Sequence, residues 1–198
     1  MKLARVYMKR YPIVTILFLV FASIAQAAEN YTINPTKTTP NFEVKNLGFA
    51  TLTGHFNKTS GNVMLDFKAK TGSVDLIIFT DSLDMGWWQA WAEHLLDPEL
   101  FNVKNFPTMS YKSDKLIFSG DKVVGSEGQF TMLGVTKPII LVVNNFQCVK
   151  STGKSTCSGQ VTSVIKRSDF GLSKYMPMVS DEVKISVPVE VSHEYCFS

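Results

Sequence analysis

Along most of the chain, polar and apolar residues alternate one by one. In Pro107-Thr108-Met109-Ser110-Tyr111-Lys112-Ser113 the polar Thr108, Ser110 and Lys112 stand opposite Met109 and Tyr111. Val183, Ile185, Val187, Val189 and Val191 alternate in the same way with Lys184, Ser186, Pro188 and Glu190. Successive side chains on a strand point to opposite faces, so each segment predicts a strand with one wet and one dry face. Pro188 cannot donate a ladder hydrogen bond, which predicts an edge or a bulge there. Runs of the same kind cover 41–45, 61–67, 73–80, 115–119, 123–133, 139–146 and 159–166. Thr59-Ser60-Gly61, Lys70-Thr71-Gly72 and Ser119-Gly120-Asp121 read as turns between them. Many short strands with closely spaced turns predict an all-β sandwich or barrel.

One segment breaks the alternation. Between Gly86 and Leu100, Trp87, Trp88, Trp91, Leu95 and Leu96 recur at helical spacing, which predicts a short helical insertion. Asp97-Pro98-Glu99 resembles the cap and first turn of a second short helix. Three tryptophans in five residues wrap too far round a helix to bury on one face. They read either as a lid whose rings touch a ligand or as ordinary packing of a docked helix.

The first 27 residues carry a different pattern. Lys2, Arg5, Lys9 and Arg10 precede an apolar run from Ile13 to Ala22, which leads into Ser23-Ile24-Ala25-Gln26-Ala27. Basic, apolar and small-residue segments in that order predict a signal peptide cleaved after Ala27. The apolar run is about half the roughly twenty residues that a membrane span needs. Residues 28–198 are then one domain of ample size for a core, exported to the periplasm. The formal charge of the whole chain is +3. Without the leader's four basic residues, 16 Lys and Arg face 17 Asp and Glu, a net charge of −1. Nothing in that balance favours nucleic acid as a partner.

Three cysteines in an exported chain predict one disulfide and one remaining thiol. Cys148 and Cys157 flank a polar, glycine-containing turn between two strand patterns and are the preferred pair. Cys196, almost at the C-terminus, is an alternative partner for either. No metal site is expected, because no His or second Cys stands nearby at ligand spacing. His94 reads as the partner of a backbone carbonyl at a helix end, with an acid/base group or a polar anchor of the pocket as the alternative, and His55 and His193 read as exposed. Arg167-Ser168-Asp169 reads as a structural turn or salt bridge rather than as a nucleophile with its carboxylate, since neighbours on a strand diverge. Gly134-Val135-Thr136-Lys137-Pro138 lacks the spacing and following helix of a phosphate loop and reads as a hairpin turn.

Several segments together resemble the YceI-like family of exported lipid-binding proteins. They are Phe42-Glu43-Val44-Lys45-Asn46-Leu47-Gly48, Gly54-His55-Phe56, His94-Leu95 leading to Leu100-Phe101-Asn102, and Phe106-Pro107. Gly128-Gln129-Phe130-Thr131-Met132-Leu133-Gly134-Val135-Thr136-Lys137-Pro138 resembles the family's most recognisable signature, and Arg167-Ser168-Asp169-Phe170-Gly171 and Val179-Ser180-Asp181-Glu182-Val183 complete it. The resemblance implies a lipocalin-like antiparallel β-barrel of about eight strands holding a polyisoprenoid or similar long amphiphile. Asn46 stands where the family commonly has His, and Trp91-Ala92 where it commonly has Arg-Asp. The second departure weakens any polar head-group recognition carried over to that segment.

The dry faces of the alternating runs supply the candidate binding residues. They are Phe42, Val44, Leu76, Ile78, Met109, Tyr111, Phe118, Phe130, Met132, Leu141, Val143, Val183 and Ile185, with Trp87, Trp88 and Trp91 at the mouth. The same residues would also suit a filled, dry core, because alternation reports direction and not the space that remains. The expected function is a non-enzymatic periplasmic carrier of a polyisoprenoid, an isoprenoid quinone or a fatty-acyl compound. No cofactor other than the bound lipid, no nucleic acid and no stable membrane span is expected, and a homodimer is left open. The alternative is an envelope protein-interaction module with a filled barrel as its scaffold. An enzyme acting on lipid ranks last, since no convergent set of titratable residues is visible.

Overall fold

The computed structural model describes residues 28–195. The leader pattern of residues 1–27 and Cys196 lie outside the described residues. The strands are β1 (Glu29–Ile33), β2 (Asn41–Asn46), β3 (Ala50–Phe56), β4 (Thr59–Asp66), β5 (Thr71–Phe79), β6 (Leu83–Asp84), β7 (Thr108–Ser119), β8 (Lys122–Met132), β9 (Val135–Ser151), β10 (Lys154–Lys166) and β11 (Val179–Glu194). One short helix, α1 (Gln89–Leu95), follows a 3₁₀ turn at Gly86–Trp88.

Antiparallel pairing runs β1-β4-β5-β7-β8-β9-β10-β11, and β1 also pairs with β11. The second pairing, Thr32 with Ser192 and Ile33 with Val191, closes an eight-stranded barrel. Closure leaves no free edge in that ring, which is how an antiparallel sheet of this length avoids edge-to-edge association. The long β11 serves two neighbours. Its C-terminal part pairs with β1, and its N-terminal part pairs with β2, placing Val183 opposite Val44 and Ile185 opposite Phe42. β3 and β6 continue outward from β2 as a flap. Pro188 sits between the β2 partner Ser186 and the β1 partner Val191, where β11 changes neighbours. Its missing N–H therefore falls at a local edge, as the sequence predicts.

The hairpin between β8 and β9 is a two-residue loop, with Met132 opposite Val135. Leu133 and Gly134 both take positive φ, 52° and 75°, the geometry whose twist matches the flanking strands. Gly61 stands both at the end of a predicted turn and at the start of a predicted strand, and the strand reading holds. It lies inside β4 rather than in a turn, at φ 140°, and a Cβ there would come 1.9 Å from the Asp75 carbonyl oxygen. Glycine is required there by a close approach of backbone.

The helical insertion is shorter than its periodicity predicts. Gly86 is at φ 60° and α1 ends at Leu95 with Leu96 as its cap. Asp97-Pro98-Glu99 forms successive turns rather than a second helix, with the Leu100 and Asn102 amides both donating to the Asp97 carbonyl. Among the helix residues only Ala92 is buried. No helix of the described residues is long and apolar enough to cross a membrane.

Candidate functional site

The inward faces of the strands form two apolar clusters. One gathers Phe56, Ile78, Met109, Tyr111, Phe130, Met132 and Phe170 toward the helical side. The other gathers Tyr31, Ile33, Val63, Leu65, Val123, Cys157 and Val191 toward the disulfide. Val74 and Leu76 pack against both clusters, and a cavity of about 410 Å³ draws its wall from both.

Fourteen of the sixteen residues expected to face a ligand line this cavity: Phe42 and Val44 from β2, Leu76 and Ile78 from β5, Met109 and Tyr111 from β7, Phe130 and Met132 from β8, Leu141 and Val143 from β9, Val183 and Ile185 from β11, and Trp88 and Trp91 from the helical segment. Two do not. Trp87 stands clear of the cavity and is fully exposed. Phe118 points to the inner side, but too far along β7. Irregularities in the β7–β8 register bring Leu116 to the wall, while Phe118 packs edge-on against Phe67, ring centres 6.3 Å apart.

The wall also includes residues outside the sequence selection. Val187, Val189 and Val191 continue the same alternation as Val183 and Ile185, and Val63, Leu65, Val161 and Ile165 belong to runs recognised as strands. The same alternation marks them in the sequence. Leu172 and Tyr175 belong to the loop before β11 and Arg167 to the turn that precedes it, and no periodicity marks them.

Several polar atoms on the wall are hydrogen-bonded within the protein. The Tyr111 hydroxyl and Ser126 Oγ are hydrogen-bonded at 2.8 Å, and burial pushes the Tyr111 phenol above its ordinary range. Thr38 donates its hydroxyl to the Glu190 carbonyl. At the disulfide end, Tyr31 donates to Glu29 Oε2 at 2.5 Å and lies 3.2 Å from Ser155 Oγ; burial, then the Glu29 hydrogen bond, pushes its phenol up to about 12. Cys148 and Cys157 face each other across β9 and β10 and are bridged, Cα atoms 3.9 Å apart.

The opposite end is the mouth, where wall residues are exposed. Arg167 lies in a 3₁₀ turn, Arg167–Phe170. Its buried guanidinium donates to the carbonyls of Leu172, Lys174, Val179 and Ser180 and ties down the loop that follows. Burial lowers its pKa. Asp181 accepts from the Ser168 amide and hydroxyl, and that amide bond is the main cause that holds its carboxyl below the usual range. The segment is thus structural, as the sequence predicts, but through carbonyl bonds rather than an ion pair. His94 departs from its expected role. Its Nδ1 lies 2.9 Å from Asp97 Oδ2 and its Nε2 2.8 Å from the Tyr175 hydroxyl, so it joins α1 to the loop instead of capping a carbonyl. Lys174 pairs with Glu99 beside it. His193, half-buried, donates to the Asn30 carbonyl at 2.7 Å.

A family model described as the YceI-like domain matches residues 31–191. Protein YceI of Salmonella arizonae is 28% identical over 180 residues, spanning 89% of this chain and 93% of that protein. Among solved structures, Burkholderia cenocepacia BcnA superposes with a TM-score of 0.67 at 22% identity, covering 80% of this chain and 98% of that one. The Campylobacter jejuni YCEI protein gives 0.66 at 24% identity, covering 76% and 90%. A polyisoprenoid binding domain from Saccharophagus degradans, implicated in plant cell wall breakdown, gives 0.63 at 16% identity, covering 82% and 98%.

Proposed function

The chain belongs to the YceI-like family, and on that premise we propose that it is a non-enzymatic carrier of a long-chain apolar or amphiphilic molecule held inside the barrel. The polyisoprenoid named for the Saccharophagus degradans domain is the leading class, with isoprenoid quinones and fatty-acyl compounds beside it. The observation that carries the reading is the cavity itself. At about 410 Å³ it falls within the roughly 300–1,000 Å³ of small-molecule sites, and its wall is made almost wholly of apolar side chains. A filled barrel serving only as scaffold has no use for such a space.

Apolar side chains dominate the wall, and the Tyr111, Ser126 and Thr38 hydroxyls on it are engaged within the protein, so recognition there is by shape and apolar contact, which suits a flexible hydrocarbon chain. Export to the periplasm is supported by the leader pattern and by the disulfide, which persists in oxidising compartments. Solvent extraction of the purified protein followed by mass spectrometry tests the proposal, with a stoichiometric long-chain lipid as the expected result. Met132→Glu places a carboxylate on the apolar wall, where it must stay unpaired or take up a proton. Full retention of lipid by a folded Met132→Glu protein would refute the pocket.

A further inference from the structure

Three segments far apart in the chain meet around the mouth. The Leu47-Gly48-Phe49 turn joins β2 to β3, Trp87, Trp88 and Trp91 stand on the helical segment, and Tyr175, Met176 and Met178 lie on the loop before β11. The Leu47 amide donates to the Met178 carbonyl at 2.7 Å. Tyr175 reaches His94 at 2.8 Å, and the His94 ring lies 6.1 Å from that of Trp91. All eight apolar side chains are exposed, Phe49 at 79% and Leu47 at 57%. Isolated exposed apolar residues are ordinary, but eight around one opening are not.

From this rim we propose that the mouth docks on the surface of a neutral lipid bilayer. The rim continues directly into the cavity, since Trp88, Trp91 and Tyr175 belong to both. Trp and Tyr carry an apolar body and a polar tip, the combination that settles at a membrane–water interface. Beside it Lys174 pairs with Glu99, and the exposed Lys45 and Glu93 are opposite in sign, so the rim carries no excess of positive charge and the partner surface is zwitterionic rather than anionic. Docking gives a long chain an unbroken apolar path into the barrel. Each methylene that instead crosses water slows transfer by roughly fourfold. The proposal extends the carrier reading and rests on it for its purpose, but not for its test.

The only three tryptophans of the chain are all on this rim, so intrinsic fluorescence reports the rim together with the cavity mouth that Trp88 and Trp91 line. Titration with phosphatidylcholine vesicles should shift the emission to the blue, brominated phosphatidylcholine should quench it, and added salt should leave both unchanged. Trp87→Ser with Phe49→Ser alters two residues outside the cavity wall. It should weaken vesicle binding by roughly tenfold or more while leaving displacement of the fluorescent fatty acid cis-parinaric acid unchanged; Leu47→Asp alone should act in the same direction. No blue shift or bromine quenching in the natural protein overturns the docking. So does vesicle binding that the double variant retains, or a dimer in sedimentation that buries the rim and ignores vesicles. Parinaric acid binding scores the carrier reading separately: its loss with vesicle binding intact would refute the cavity and not the rim.

Discussion

Filling the cavity should stabilise the protein, a reversal of the usual result of enlarging a core residue. Val143 on β9 faces the cavity opposite Val161, its partner across the β9–β10 ladder, and both line the wall. Val143→Phe adds four carbons. At about 0.8 kcal/mol per carbon removed from water, their burial is worth at most about 3 kcal/mol, and ordering the ring brings the expected gain to about 1–3 kcal/mol. For a domain of this size, 1 kcal/mol corresponds to roughly 2–4 °C in melting temperature, so the delipidated variant should melt about 3–10 °C higher. In a closed core the same change costs roughly 1–3 kcal/mol through strain, so the sign alone decides. The assay is thermal unfolding of delipidated natural and variant proteins by near-ultraviolet circular dichroism, paired with a parinaric acid titration. Higher stability with weakened binding is expected. A lower melting temperature with unchanged binding would refute the open cavity at Val143.

Replacing both Cys148 and Cys157 by Ser should cost about 2–3 kcal/mol, the scale for a short closed loop, read as a lowered urea midpoint; peptide mapping without reduction should recover the Cys148–Cys157 pair. Tyr31 should titrate near pH 12 in the folded protein, seen as a late tyrosinate step in ultraviolet difference spectra. Because its folded pKa lies above the unfolded value of about 10, its contribution is fully present below pH 10 and is lost between pH 10 and 12, so the urea midpoint should fall across that window and Tyr31→Phe should flatten the fall. Arg167→Met leaves four carbonyls without their donor and should cost at least about 2–3 kcal/mol, with hydrogen exchange rising first in the 172–180 loop.

Alternation of side chains is a local property of an extended chain, which is why the dry faces of β2, β5, β7, β8, β9 and β11 were readable residue by residue. The disulfide was readable for a related reason: a short hairpin turn sets the register that brings Cys148 opposite Cys157. Depth along the barrel is not local. It follows from strand stagger and from register irregularities, so Phe118 and Leu116, two residues apart on the same side of β7, end one below the cavity and the other on its wall. Nor does alternation tell whether inward side chains meet. That depends on the circumference of a ring closed by β1 against β11, a pairing more than 150 residues apart in the chain. The rim was least legible of all. Spacing places Trp87 with its neighbours at the mouth's lining, yet it is fully exposed and clear of the cavity, and Phe49 and Met178 carry no local signal of the rim that β2, α1 and the 175–178 loop form together. His94 likewise found its partner Tyr175 81 residues away. The sequence by itself determined strand faces, turns and the hairpin disulfide, because short-range backbone geometry sets them. Closure of the sheet alone decided the open interior, its depth and its apolar rim, because these depend on distances between strands that no local pattern encodes.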